Sequence, residues 1–118
     1  MKISNGLVLR RGLAMLAMGL LLAACGSGKG SVATGLKYQD SGKYRAAYIE
    51  AKKVLQRDDK NGEAWLLLGR SSLMLGNPKD ALNELGKAKA LGVPKARWVV
   101  PTSEAQLASH DFDKVVTA

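Results

Sequence analysis

The residues that could do chemistry in this chain are few. Cys25 is the sole cysteine and His110 the sole histidine in 118 residues. A lone cysteine excludes an internal disulfide framework. No His/Cys cluster has metal-ligand spacing. His110 falls where a turn between helices is expected and reads as a solvated surface residue. Asp58-Asp59, and Asp111 with Asp113, also fall at turns and helix starts, where acids cap or solvate. No glycine-rich phosphate loop follows a strand, and no strand is expected. Lys and Arg number 18 against 10 Asp and Glu, a formal charge of +8. They form no stripe with interleaved aromatics, which argues against a nucleic-acid partner. No catalytic residue and no metal are expected, and the chain does not read as an enzyme.

Cys25 is the exception, because of what precedes it. Lys2, Arg10 and Arg11 make a positive n-region. Gly12 to Ala24 is apolar, about as long as a signal-peptide h-region and too short for an ordinary membrane span. It ends Leu22-Ala23-Ala24-Cys25, followed by Gly26 and Ser27. This order resembles a bacterial lipoprotein signal, with Leu22, Ala23 and Ala24 as the lipobox. The resemblance implies a diacylglyceryl group on the Cys25 thiol and cleavage before Cys25, which small Ala24 permits. It also implies an N-acyl chain on the new amine. No other cofactor is expected. Several acyl chains, at about 0.8 kcal/mol per buried methylene, anchor stably where one would be marginal. Gly26 in place of Asp implies the outer membrane, facing the periplasm, in enterobacterial-type sorting, with the inner membrane as the alternative. Residues 1–24 are therefore expected to be a signal peptide, and 25–30 an acylated flexible tether rich in glycine and small residues.

The chain beyond the tether must be a scaffold, and its sequence repeats. Hydrophobic content is 47% with only 5% aromatic, which suits helices rich in Leu and Ala. Trp65, Leu68, Gly69, Ala81 and Leu85 match the order and spacing of a tetratricopeptide (TPR) unit, whose period is about 34 residues. Shifted back by one period, Gly69 falls on Gly35, Gly76 on Gly42, Ala81 on Ala47 and Ala88 on Val54. Tyr38 fills the aromatic position that Ser72 lacks. The expected fold is all-α, with helix-turn-helix repeats stacked as a short right-handed solenoid over residues 31–118. Repeat one covers about 28–61, with helices from Ser31 and over Lys43 to Arg57. Repeat two covers 62–95, with helices over Gly62 to Leu75 and Pro78 to Leu91. Gly76-Asn77-Pro78 is the break, since Gly tolerates a left-handed cap and Pro suits a first turn. Ala46, Ala47, Ile49, Ala51, Val54 and Leu55 are expected to supply the apolar face of the second helix. Gly35 and Gly69 are expected to let the two helices of a repeat approach closely, opposite Ala47 and Ala81.

A partial third repeat is expected over 96–118, with Ser103 at the small position and His110 at the inter-helix glycine. Pro101 falls inside its first helix and is expected to kink or delay it. Stacked repeats need about three units for stability. The sequence holds two and a half, so it reads as part of a longer array, or one whose end a partner or second copy covers through self-association. In TPR arrays the first helices line an inner groove. By position that groove takes Leu36, Gln39, Asp40, Glu63, Leu66, Arg70, Leu73, Met74, Arg97 and Glu104, with Val100 and Leu107. Positions that hold a terminal carboxylate in chaperone-binding TPR clamps carry Val32, Leu36, Leu66 and Arg70, so that clamp is absent. An apolar groove with a few charges suits a protein or peptide partner.

A narrower resemblance covers nearly the whole chain. Its marks are Tyr38 to Ala47, Glu63 to Gly69, Leu75 to Ala81, Lys87 to Pro94 and Gln106 to Val115. Leu91-Gly92-Val93-Pro94 and Asp111-Phe112-Asp113-Lys114-Val115 are the most distinctive. Together they resemble the start of the TPR-repeat lipoproteins associated with the exosortase/PEP-CTERM system of Gram-negative bacteria. That resemblance implies a membrane-anchored scaffold in exopolysaccharide export or in sorting of surface proteins. Two alternatives share the same parts: a pilotin or assembly-type lipoprotein for an outer-membrane pore, and an adaptor of a periplasmic peptidoglycan hydrolase.

Overall fold

A computed structural model describes residues 29–117, with side chains as far as His110. The expected signal peptide, the lipobox and Cys25 lie outside the described residues. Five helices follow one another: α1 over Val32–Asp40, α2 over Tyr44–Arg57, α3 over Gly62–Met74, α4 over Pro78–Ala90 and α5 over Lys95–Thr117. There is no strand among the described residues. Nor is any helix there long and apolar enough to cross a membrane.

Local chemistry sets the helix ends. Ser31 is extended, and its hydroxyl accepts the Thr34 N–H at 3.2 Å, starting α1. Asn61 does the same for Ala64 at 3.1 Å, starting α3. Pro78 opens α4, where its missing N–H costs nothing. At the other ends, Gly42, Gly76 and Gly92 have φ of 74°, 83° and 90°. Each makes the paired closing bonds of a Schellman motif. Lys43 N–H donates to the Tyr38 carbonyl, Asn77 to Ser72 and Val93 to Ala88, while each glycine N–H donates two residues before its cap. α2 has Asp58 in place of such a glycine, and ends on an extended residue, φ −146°.

The third repeat departs from expectation. His110 replaces the turn glycine, and α5 runs unbroken past it. A left-handed residue is costly for any side chain, so without glycine the Schellman turn does not form. Pro101 neither delays the helix start nor stops the helix, which begins at Lys95 and continues through it.

The core has two parts. Ala47, Ala51, Leu67 and Leu68 join α2 to α3, with Leu36, Tyr38, Tyr48 and Leu55 packed around them. Leu66, Leu85, Ala88 and Val93 join α3 to α4. Trp65 packs against both clusters, and Trp98 against the second. Ile49, expected in the apolar face of α2, is instead 47% exposed. Gly69 is a close-approach site: a Cβ there would lie 2.7 Å from Leu85 Cγ on α4. Gly35 also faces tight packing, but a Cβ added there would collide first with Leu67 Cδ2 of the next repeat. It therefore serves the joint between repeats rather than the hairpin within one.

α1 packs against α3, and α3 against α5, whereas no Cα of α2 comes within 8 Å of one in α4. The odd-numbered helices lie side by side on the tighter face. Before α1, the Gly30 carbonyl accepts from Arg57 Nη2 at 2.9 Å, and Ser31 N–H donates to Glu50 Oε2 at 3.0 Å. The stretch expected as a tether thus ends tied to α2.

Candidate functional site

A cavity of about 440 Å³ opens across the face formed by α1, α3 and α5. Gln39 and Asp40 come from the end of α1, and Tyr44 from the start of α2. Arg70, Leu73 and Met74 come from α3, and Ala96, Arg97, Val100, Pro101 and Glu104 from α5. Helical spacing puts these residues on one face: Arg70, Leu73 and Met74 follow the i, i+3, i+4 rule, as do Arg97, Val100 and Pro101.

Seven of the residues expected in the groove are brought together here: Gln39, Asp40, Arg70, Leu73, Met74, Arg97 and Glu104, with Val100 beside them. Three are placed differently. Leu66 is only 2% exposed and belongs to the core with Leu85 and Ala88, so a groove role for it is corrected. An apolar side chain gains more from burial against α4 than from standing open to water in the groove. Leu36 packs against the first core cluster. Glu63 stands at the groove margin and accepts from Arg97 Nη1 in an ion pair. The two are 34 residues apart, the same place in successive repeats, so the pair ties α3 to α5. Both are partly exposed, which limits such a pair to about 0–1 kcal/mol. Leu107 is exposed and lines a different hollow with Leu82 and His110. Tyr44, Ala96 and Pro101 are groove residues that spacing alone does not assign. Tyr44 opens a second helix, and Pro101 reads in sequence only as a helix breaker.

Met74, 54% exposed, and Val100, 60% exposed, form an open apolar strip, but polar and charged side chains make up most of the lining, so the expectation of an apolar groove is corrected. Gln39 is different: it is 8% exposed, and its Nε2 is buried without a hydrogen-bond partner. A buried polar group without a partner costs about 1–3 kcal/mol. No ion pair engages Arg70, Asp40 or Glu104 among the described residues.

A second hollow, of about 390 Å³, lies on the opposite side where α2 and α4 part. Lys52, Gln56, Trp65, Glu84 and Lys87 line it. The Lys87 ammonium sits 4.2 Å from the Trp65 ring centre, within cation–π range. Burial pushes the Glu84 carboxyl above its ordinary value; Ser72, Lys52 and Lys87 oppose that rise and Asp80 adds to it. Among the described residues no three His, Cys, Asp or Glu group to hold a metal ion.

Paired antiparallel helices closed by glycine turns, with first helices forming one face, define a class of helical repeat protein. The tetratricopeptide repeat family matches residues 38–98, just over half of the chain, and the chain belongs to that family. The matched span runs from late α1 to the first turn of α5 and holds both core clusters. No curated protein and no solved structure matches the chain.

Proposed function

We propose that this chain is a membrane-anchored scaffold that holds a protein partner in the groove across α1, α3 and α5. The observation that carries the reading is the groove itself: repeated first helices present unpaired charge and the exposed apolar side chains Met74 and Val100 on one surface. TPR repeats are protein-interaction modules, and a face that holds a Gln39 amide without a partner is suited to meet another polar group. Stacking of the hairpins as a right-handed solenoid is the arrangement that follows from the family. The anchor rests on sequence: the n-region, the apolar stretch and Leu22-Ala23-Ala24-Cys25. The setting, exopolysaccharide export or exosortase-linked sorting at the periplasmic face of the outer membrane, rests on resemblance over Tyr38 to Val115.

Two measurements test the two halves. Cys25→Ser is expected to move the protein from washed membranes to the soluble fraction; retention in membranes counts against lipidation. A photo-crosslinking residue at Met74 in growing cells is expected to yield one discrete adduct, identified by mass spectrometry. Adducts at His110 but none at Met74 would place the partner elsewhere.

A further inference from the structure

We propose that the groove takes an extended peptide whose charges alternate basic, acidic, basic, with its main chain held by Gln39. This rests on the scaffold reading above and names the chemistry of the partner. Across the face, α1 supplies Asp40, α3 supplies Arg70 and α5 supplies Glu104, so the lining reads negative, positive, negative. Arg97 adds no further positive site, because Glu63 already pairs with it. None of the three central charges has an ion-pair partner among the described residues. A ligand that meets all three carries the opposite order.

The direction of the groove sets the ligand's form. It crosses three helices rather than running along one. Packed helix axes lie about 8–10 Å apart, and an extended chain advances about 3.1 Å per residue in its three-fold form. Arg70 and Glu104 hold the same place in successive repeats, so the ligand charges that meet them are about three residues apart on one side of the chain; Asp40 lies one helical turn beyond the matching place on α1, a step that a long lysine side chain spans. Between them, apolar side chains rest on Met74 and Val100, both more than half exposed. Gln39 supplies the main-chain contact. Its carboxamide offers a donor and an acceptor, matching one peptide unit, and its buried Nε2 is unpartnered. Nε2 is closed to solvent, so the carboxamide turns toward the groove to meet a ligand carbonyl, and that pairing removes the penalty of the unpaired donor.

The test uses the full chain and three fluorescein-labelled, acetyl- and amide-capped heptapeptides. The first has Lys at positions one and seven, Glu at four, Leu at three and five and Ala elsewhere. The second exchanges Lys and Glu throughout, and the third has Gln at four. The chain is strongly basic, at +8. Its overall field favours the second peptide, so preference for the first over the second can come only from local pattern. The first is expected to bind about tenfold more tightly than either control in low salt. Arg70→Gln is expected to erase the distinction between Glu and Gln at position four. Gln39→Leu is expected to weaken every heptapeptide alike, with the thermal melt of each variant checking its fold. Replacing the central amide of the first peptide by an ester probes the same contact without altering the protein, and a loss of affinity is expected. Equal or tighter binding of the charge-exchanged peptide overturns the pattern. An ester peptide and a folded Gln39→Leu protein that both bind normally overturn the role of Gln39. Crosslinking at Met74 separates the two readings: adducts there with no heptapeptide preference leave the scaffold standing and sink the charge pattern.

Discussion

At Gly69 a single added methyl would meet Leu85 at its Cγ, its Cδ2 and its backbone nitrogen, the last at 3.2 Å. Leu85 is 1% exposed and cannot swing away, so the helices themselves would have to part. Gly69→Val is expected to cost about 1–3 kcal/mol through overpacking, read from urea denaturation midpoints. Gly86 supplies the contrast, since nothing lies within 4 Å of a Cβ there and the residue is an exposed helix position. Gly86→Ala is expected to gain about 0.5–1 kcal/mol by removing backbone freedom from the unfolded chain. Glu84 makes a pH-dependent prediction. Its folded carboxyl binds a proton more readily than the unfolded one, burial being the largest cause. Stability from this group is therefore full below the ordinary carboxylate value and is lost as pH rises through the raised folded value. Glu84→Gln is expected to raise stability at neutral pH and to bring no gain below the ordinary carboxylate range. Denaturation curves at the two pH values check it; a loss at neutral pH would mean that Lys52 and Lys87 outweigh burial.

At the scale of the helices, glycine placement decides where the chain turns. Three glycines at helix ends adopt positive φ and close Schellman motifs, and before Gly76 and Gly92 the expected ends, Leu75 and Leu91, agree with the structure to within a residue. These ends were legible because one residue type meets a backbone demand that others meet only at a cost. The third repeat was not legible in the same way. Register alone assigns a turn to His110, but register carries no information about whether the side chain there can make it. Propagating an existing helix costs little per residue, so α5 continues where the motif lapses. Restoring the glycine tests this cause. His110→Gly is expected to lower amide-exchange protection from residue 110 onward while leaving α3 and α4 unchanged. Undiminished protection would show that something other than the missing glycine holds α5 straight.

Across the whole molecule, contact between first helices and separation of second helices give the chain an inner and an outer side. Period and phase were enough to place Arg70, Met74 and Arg97 on the inner side. They were not enough for Leu66, because a first helix in an array has two apolar neighbours and only packing decides which one a leucine meets. The unpaired Gln39 amide was also beyond sequence, since burial and partnership are properties of the assembled fold. Trp65 has a use that its packing role does not suggest. Its indole N–H donates to the Asp59 carbonyl at 2.7 Å, and that of Trp98 donates to Val93 at 3.0 Å. The two rings are the chain's only tryptophans, and each is stitched to the loop preceding its own helix. Lys87 and Lys89 lie over Trp65 and Trp98 respectively. Each indole is thus a fluorophore whose emission changes when its own loop and its own lysine let go. A Trp98→Phe chain would report from the joint between the repeats, and a Trp65→Phe chain from the base of α5. The protein carries a separate optical gauge for each, so unfolding that begins at one end would be seen as two curves rather than one.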